Sequence, residues 1–425
     1  MSRHLLVKFL LIVSFFAFMT PCVKAQKLAS NESIERQVDS IMSFAIDNEA
    51  FPGAQLLVVH QDETIFHKTY GYHTYDNVVP VLKNDVYDLA SITKILGPLL
   101  GIMKLYEEGK IELDKPFSEY WPSWRSKRDK KEITLRELLA HQSGLQPYIV
   151  FLKEVTKDGK LKKRFVRSQP SNRFSEQAYE GIYVKTRFKN KVFRKIKRSK
   201  VSAEKKYVYS GLASLIYPTL IENLSGISYE DYLNNHFYQP LECNGFGYNP
   251  MSMGIEQLVP TEVDTVFRKS LVQGWVHDEN AALLGGVSGN AGLFGTASDV
   301  AKLMQMLVNK GQFRGNRYLK ESTVNEFIRI QYSENDNRRG LGFDKPLIGN
   351  DTLSIKEAYP APEVSPSSFG HSGFTGTFVW ADPEYDLVFV FLSNRVYPSR
   401  THRNIYNLNI RPKLQQVFYR ALFTD

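Results

Sequence analysis

Two stretches near opposite ends of the chain constrain its fold most. Residues 53–73, GAQLLVVHQDETIFHKTYGYH, read as two strands around a QDE turn. Residues 376–396, GTFVWADPEYDLVFVFLSNRV, read as an apolar strand, an Asp-Pro turn and a second apolar strand. Each hairpin has a helical pattern outside it. NESIERQVDSIMSFAI places Ile34, Val38, Ile41, Met42 and Ala45 at helical spacing behind a polar cap, and IRPKLQQVFYRALF forms the C-terminal counterpart. The chain ends therefore pair in one antiparallel sheet, covered by the two terminal helices. Between them the patterns are mainly helical, at 91–109, 134–140, 210–225, 228–236, 297–310 and 321–330, with no internal repeat.

This gives an α+β chain. Residues 26–90 and 285–425 form the sheet-and-helix lobe, and 91–284 a mainly helical lobe that contains residues 151–206. An active site is expected in the seam between the lobes. At 425 residues and 43% hydrophobic, the chain is ample for a large core.

Residues 1–25 read as a signal peptide. Arg3 and Lys8 flank the start of the apolar run FLLIVSFFAFM, which is short for a bilayer span, and Val23 and Ala25 sit like the small residues of a signal-peptidase site. Cys22 follows Pro21 and lacks the small residues of a lipoprotein box. The expectation is export, to the periplasm or outside the cell. Processing leaves Cys243, hence no internal disulfide, and Cys243 itself reads as a packed small hydrophobe. No Cys/His cluster has zinc spacing and no glycine-rich loop is built for phosphates, so neither a metal nor another cofactor is expected.

The net charge of +9 is concentrated. Residues 151–206 carry 19 Lys and Arg against 5 Asp and Glu, a net of +14, which leaves −5 for the rest of the chain. One reading is a surface for an anionic glycan, a cell-wall polymer or a membrane surface. The other is a solvated, partly mobile insertion with no partner. Nucleic acid is not expected, since no nucleic-acid motif accompanies the charges.

Within DLASITKILGPLLGIMKLYEEGK (88–110), Ser91 and Lys94 stand at the front edge of an apolar helix pattern. Positions i and i+3 share a helix face, so the two side chains can touch. A serine hydroxyl becomes a strong nucleophile when a neighbour accepts its proton, and a desolvated lysine can do so. A second Ser-x-x-Lys, Ser202 to Lys205, lies in the basic segment with no apolar helix behind it and reads as accidental.

Two further motifs follow in order: Tyr209-Ser210-Gly211 in YVYSGLAS, and His371-Ser372-Gly373 in FGHSGFTGTFVW. With them the chain resembles the serine β-lactamase and penicillin-binding-protein superfamily, on its class C, D,D-carboxypeptidase and esterase side. The resemblance runs from about residue 34 to the C-terminus apart from the basic segment, and includes ITLRELLAHQSGL, PTEVD, GWVHDENA and GGVSGNAGLFGTASDVAKLMQML. It implies a β-lactamase/transpeptidase-like fold and an acyl-serine mechanism. Ser91 resembles the nucleophile, Lys94 its proton acceptor, and Tyr209 a phenol that shares the acid–base work and must be held by cations. Backbone N–H groups of Ser91 and Phe374 correspond to the oxyanion hole. His371, Ser372, Gly373 and Gly211 correspond to substrate-binding positions, with His371 as a cation for a substrate carboxylate.

The chain also departs from the pattern. Gly211 stands where many relatives carry Asn or Asp, His371 where Lys is common, and Asn290 where GHAG is usual. His141, His277, Glu262 and Asp264 read as structural. The substrate expected is a D-alanyl cell-wall peptide, with an ester or small amide as the alternative. A catalytically weak binding module for an anionic envelope polymer is the competing reading.

Overall fold

The computed structural model describes residues 32–423; the signal-peptide expectation falls outside them. Both terminal hairpins enter one five-stranded antiparallel sheet. Its strands are β1 (Gly53–His60), β2 (Glu63–Gly71), β3 (Phe369–Ser372), β4 (Phe378–Asp382) and β5 (Leu387–Ser393), in the order β3-β4-β5-β1-β2. The central pairing joins the two ends of the chain, with Leu57 opposite Val390 and Leu56 opposite Phe391.

Alternation along these strands divides the core in two, because successive side chains point to opposite faces. Leu56, Val58, Phe389 and Phe391 face the terminal helices, packing with Ile34, Val38, Met42, Leu414 and Phe418. Leu57, Val59, Val388 and Val390 face the other way, against Val300, Leu303, Met304 and Leu307 of the Ala297–Val308 helix and on into the helical region. With both faces covered, the central strands can be apolar throughout. Of the five residues expected to bury on the N-terminal helix (32–47), Ile41 alone is half-exposed, at the rim of its packed face.

The single helix expected over 91–109 is broken. A 3-10 turn (Ala90–Ile92) leads into Thr93–Leu96, and a separate helix runs from Pro98 to Glu107. Pro98 has no N–H to donate to the Lys94 carbonyl, so the helical ladder is interrupted there. A side chain at Gly97 would also meet Thr93 O at 2.7 Å and the hydroxyls of Tyr229 and Tyr248 at 2.8 Å. The helix expected from 210 likewise begins only at Tyr217, one residue ahead of Pro218.

The basic segment is folded, which replaces the picture of a loose, partly mobile insertion. It contains a hairpin (Thr156–Lys157 with Lys160–Leu161), a three-stranded sheet (Val166–Arg167, Ile182–Val184, Glu176–Tyr179) and a helix, Phe188–Arg198. Phe151, Val166, Ala178, Val184, Phe188, Val192 and Ile196 join the main core. No helix among the described residues is long and apolar enough to cross a membrane.

Candidate active site

Tyr87–Asp88 pairs with Leu293–Gly295 and delivers the chain into the serine turn. Ala90 there has φ +47°, a left-handed conformation that costs a side-chain-bearing residue about 1 kcal/mol or more. The buried carboxylate of Asp88 braces it, accepting from Ala90 N at 2.8 Å and His277 N at 2.7 Å. Burial pushes the Asp88 carboxyl above its ordinary range, against those two hydrogen bonds. The turn after β3 fastens on from the other side. Thr375 Oγ1 donates to Asp88 O at 2.8 Å and Thr377 Oγ1 to Leu89 O at 3.2 Å. Gly373 lies so close that a Cβ would sit 2.0 Å from Thr377 Oγ1 and 2.6 Å from Leu89 O.

This framework sets Ser91 Oγ 2.9 Å from Lys94 Nζ, which also donates to Asn290 O at 2.8 Å. The i,i+3 contact survives in the short turn because 3-10 and α geometry both bring these positions together. No carboxylate pairs with Lys94 among the described residues. Tyr209 stands between two cations, its ring centroid 5.6 Å from Lys94 Nζ and 5.6 Å from Arg339 Cζ. Its hydroxyl is buried without a hydrogen-bond partner. Arg339 is itself buried, held by Asp344 at 3.3 Å and by Gly342 O at 2.9 Å. The motifs call for cations around the phenol and offer Lys94; Arg339, 130 positions beyond Tyr209, carries no signal of its role in the sequence.

His371 requires a correction. It is buried on β3, and its Nδ1 lies 2.8 Å from Ser372 O. A carbonyl oxygen only accepts, so Nδ1 carries the proton and Nε2 presents a bare lone pair. Burial, reinforced by Arg339 and Lys94, lowers the imidazole to about 3. A neutral imidazole offers no charge to a substrate carboxylate, so the cationic role expected at this position does not fit. His141, 4.5 Å from the Tyr209 ring centroid to centroid, is also driven well down by burial, and its Nδ1 accepts from Ser210 N at 3.3 Å. Two neutral imidazole rings thus flank the phenol, His371 at 6.0 Å.

Ser91, Lys94, Tyr209, Gly211, Asn290 and Phe374 line one cleft of about 540 Å³. Pro147, Tyr148, Val150 and Leu152 also line it, as do Val266, His277, Asp278, Glu279, Asn280 and Arg400. His371, Ser372 and Gly373 are not among the lining residues. A Cβ at Gly211 would find Lys94 Cε at 4.0 Å and nothing nearer, so an Asn or Asp there would lie beside the lysine. The Phe374 ring is exposed at the cleft, stacked at 5.8 Å on His277.

Glu262 and Asp264 are structural, as expected: Glu262 ties distant loops together and Asp264 caps its own turn. Glu262 accepts from His277 Nε2 at 2.8 Å and from Arg400 Nη2 at 2.6 Å, and Asp264 accepts three backbone N–H groups at 2.7–2.9 Å. Burial disfavours the Glu262 carboxylate, but the His277 and Arg400 hydrogen bonds prevail and hold it at about 2. Arg400, which also pairs with Glu279 at 2.8 Å, is a cleft residue that no motif signals.

The geometry has a counterpart among known proteins. The family profile described as Beta-lactamase matches residues 34–411. The chain belongs to this Beta-lactamase family. Its fold is that of the β-lactamase and penicillin-binding-protein superfamily, and it is an enzyme of the serine-hydrolase type. This Beta-lactamase-family chain is 29% identical over 385 residues to the "N-acetylmuramyl-L-alanine amidase" of Bacillus subtilis (85% of this chain, 80% of that protein). It is 27% identical over 408 residues to a Salmonella typhimurium protein described as "Putative D-alanyl-D-alanine carboxypeptidase" (90% and 84%). Among solved structures, "EstCE1, a hydrolase with promiscuous acyltransferase activity" superposes with a TM-score of 0.65 at 19% identity, covering 91% of this chain and 99% of that one. A penicillin-binding-protein homologue from Caulobacter crescentus gives 0.62 at 17% identity, with 91% and 97% covered. These two structures speak to the fold of the Beta-lactamase-family chain.

Proposed function

We propose that the protein is an exported acyl-serine hydrolase of small peptides and esters, with the D-alanyl bond of cell-wall peptides as its first substrate class. One observation carries this: Ser91 Oγ lies 2.9 Å from Lys94 Nζ in a cleft that Tyr209, its hydroxyl buried and unpartnered, also lines. Ser91 Oγ attacks the substrate carbonyl while its proton passes to Lys94 Nζ. The N–H groups of Ser91 and Phe374 stabilise the oxyanion. As the intermediate collapses, the bond to the leaving group breaks and Tyr209, relaying the proton from Lys94, protonates that group. Water, deprotonated by the same pair, then releases the acyl group from Ser91. The relatives described as an amidase and a carboxypeptidase support an amide substrate.

A second reading, an ester or amide whose leaving group bears no carboxylate, is favoured by the neutral His371 and by Asp278, which lines the cleft. The segment 151–206 is proposed as the contact for an anionic envelope polymer. Intact-protein mass spectrometry with a fluorescent penicillin and a fluorophosphonate tests the chemistry: a stoichiometric adduct is expected in the wild type and absent in Ser91→Ala. A folded wild-type protein that takes neither probe overturns the acyl-serine reading. D-alanyl-D-alanine release compared with cleavage of the corresponding C-terminal amide then separates the two substrate classes.

A further inference from the structure

A cavity of about 910 Å³ lies beside the catalytic cleft, within the basic segment. One helix, Phe188–Arg198, supplies much of its lining. Phe188, Val192 and Ile196 bury one face in the core, so Lys191, Arg194, Lys195 and Arg198, with Arg187 just ahead, are left along the cavity. Arg164 and Lys185 complete the charged lining. Glu154 pairs with Lys191 at 2.8 Å and with Lys195 at 2.7 Å. The remaining five cations form no ion pair among the described residues. Like charges three and four positions apart destabilise a helix, so this arrangement stands on the burial of its apolar face and gains from a bound anion.

The geometry narrows what that anion is. An 11-residue helix is about 16 Å long, room for several anionic groups in series. Guanidinium forks suit carboxylates and phosphates bidentately. A concave site takes a strand, whereas a flat membrane would touch only its rim. The lining aromatics offer no stacking platform for bases: Phe188 is buried, and Phe165 is covered by Lys191 Nζ at 4.5 Å.

The cavity also adjoins the reaction. Gln146 and Ile149 line it, while Pro147, Tyr148 and Val150 line the catalytic cleft. The segment 146–150 thus contributes residues to both, and it is held by Asn280, which donates to Ile149 O at 2.9 Å and accepts from Phe151 N at 3.2 Å.

We propose that this basic cleft binds an extended polyanionic glycan, across one chain segment from the catalytic cleft. The proposal gives a location and a ligand class to the polymer contact proposed above and rests on that reading. The test is binding of labelled oligogalacturonate, a chain of sugar carboxylates, by fluorescence anisotropy to wild type, Ser91→Ala and the double variant Arg187→Glu/Arg194→Glu. A carboxylate at 187 suits a helix N-terminus, and one at 194 gains Lys191, three positions back, and Arg198, four positions on, as partners. The double variant is therefore expected to fold with an unchanged melting temperature.

Wild type and Ser91→Ala are expected to bind the glycan equally, the double variant about tenfold or more weakly, with ester turnover unchanged in the double variant. Because Ser91→Ala reports binding without chemistry, failure of the acyl-serine reading leaves this result intact. Absence of glycan binding by the wild type, equal binding by the double variant, or equally tight binding to phosphatidylglycerol vesicles or a DNA oligonucleotide overturns the proposal.

Discussion

Adding one methyl group at position 373 tests whether the end of β3 sets the geometry of the nucleophile. In Gly373→Ala the new Cβ would stand 2.0 Å from Thr377 Oγ1, 2.6 Å from Leu89 O and 3.3 Å from Ala90 Cβ. Leu89 O is backbone and cannot rotate away, and it already accepts from Thr377 Oγ1 at 3.2 Å. Relief therefore requires the serine turn or the strand end to move by roughly 0.7 Å to reach an ordinary carbon–oxygen contact. Overpacking of this kind costs about 1–3 kcal/mol of stability. A displacement approaching 1 Å at a reacting group costs up to about 100-fold in rate. The expected outcome is a folded protein, destabilised by that amount in urea, whose kcat on a chromogenic ester falls by about 10- to 100-fold. Gly211→Ala is the control, because its Cβ would meet nothing nearer than Lys94 Cε at 4.0 Å, and it should unfold at the wild-type denaturant concentration. Wild-type turnover in Gly373→Ala would refute the idea that this contact positions Ser91.

Arg339→Gln removes one of the two cations beside Tyr209 while Arg338 still holds Asp344 at 2.7 Å; kcat should drop and the pH–rate profile shift, and an unchanged profile would leave Arg339 with a packing role only. Glu262 is held at about 2, below its ordinary 4.5, so its stabilisation is complete above pH 4.5 and disappears as pH falls towards 2. Glu262→Gln should therefore lose up to about 3 kcal/mol at pH 7 and much less near its folded pKa, measured by urea unfolding; equal losses at both ends would contradict the ion-pair account. His371, lowered to about 3, stays neutral when folded but takes up a proton below pH 6.5 when unfolded, so it draws stability down between pH 6.5 and 3. His371→Gln should flatten that limb. The preference for a free carboxylate over its amide should also stay constant between about pH 5 and 8; a preference that fades as pH rises would restore a cationic His371.

Much of the architecture is legible in the sequence because it rests on periodicity. The unbroken apolar runs of β1 and β5 correspond to strands buried on both faces, and the Ile34, Val38, Met42 spacing to one buried helix face. Ser91 and Lys94 are legible because their contact is local. The break at Gly97–Pro98 is obscured by apolar spacing that continues through it, from Ile95 to Leu99 and Ile102, although Pro98 is the available signal. The Phe188–Arg198 helix is hidden differently: Phe188, Val192 and Ile196 recur every four residues, but cations fill the positions between them. Arg339 and Arg400 approach the cleft only through tertiary folding, and no local pattern marks them. For His371 the sequence supplies the residue type, while its charge state depends on burial and on Arg339, both properties of the folded chain.

The pairing of β1 with β5 has a consequence for the order in which the molecule can become competent. Asp88 and Leu89 leave the ribosome nearly 290 residues before the threonines that fasten them, Thr375 and Thr377. β1 lacks its central neighbour until Ser393 has been made. A nascent or truncated chain carries Ser91 and Lys94 without the strand that braces their turn. Domains assemble as they emerge, but contacts this distant in sequence form late. Synthesis thus works as a timer: the nucleophile is written early, and the part that sets it is written almost last.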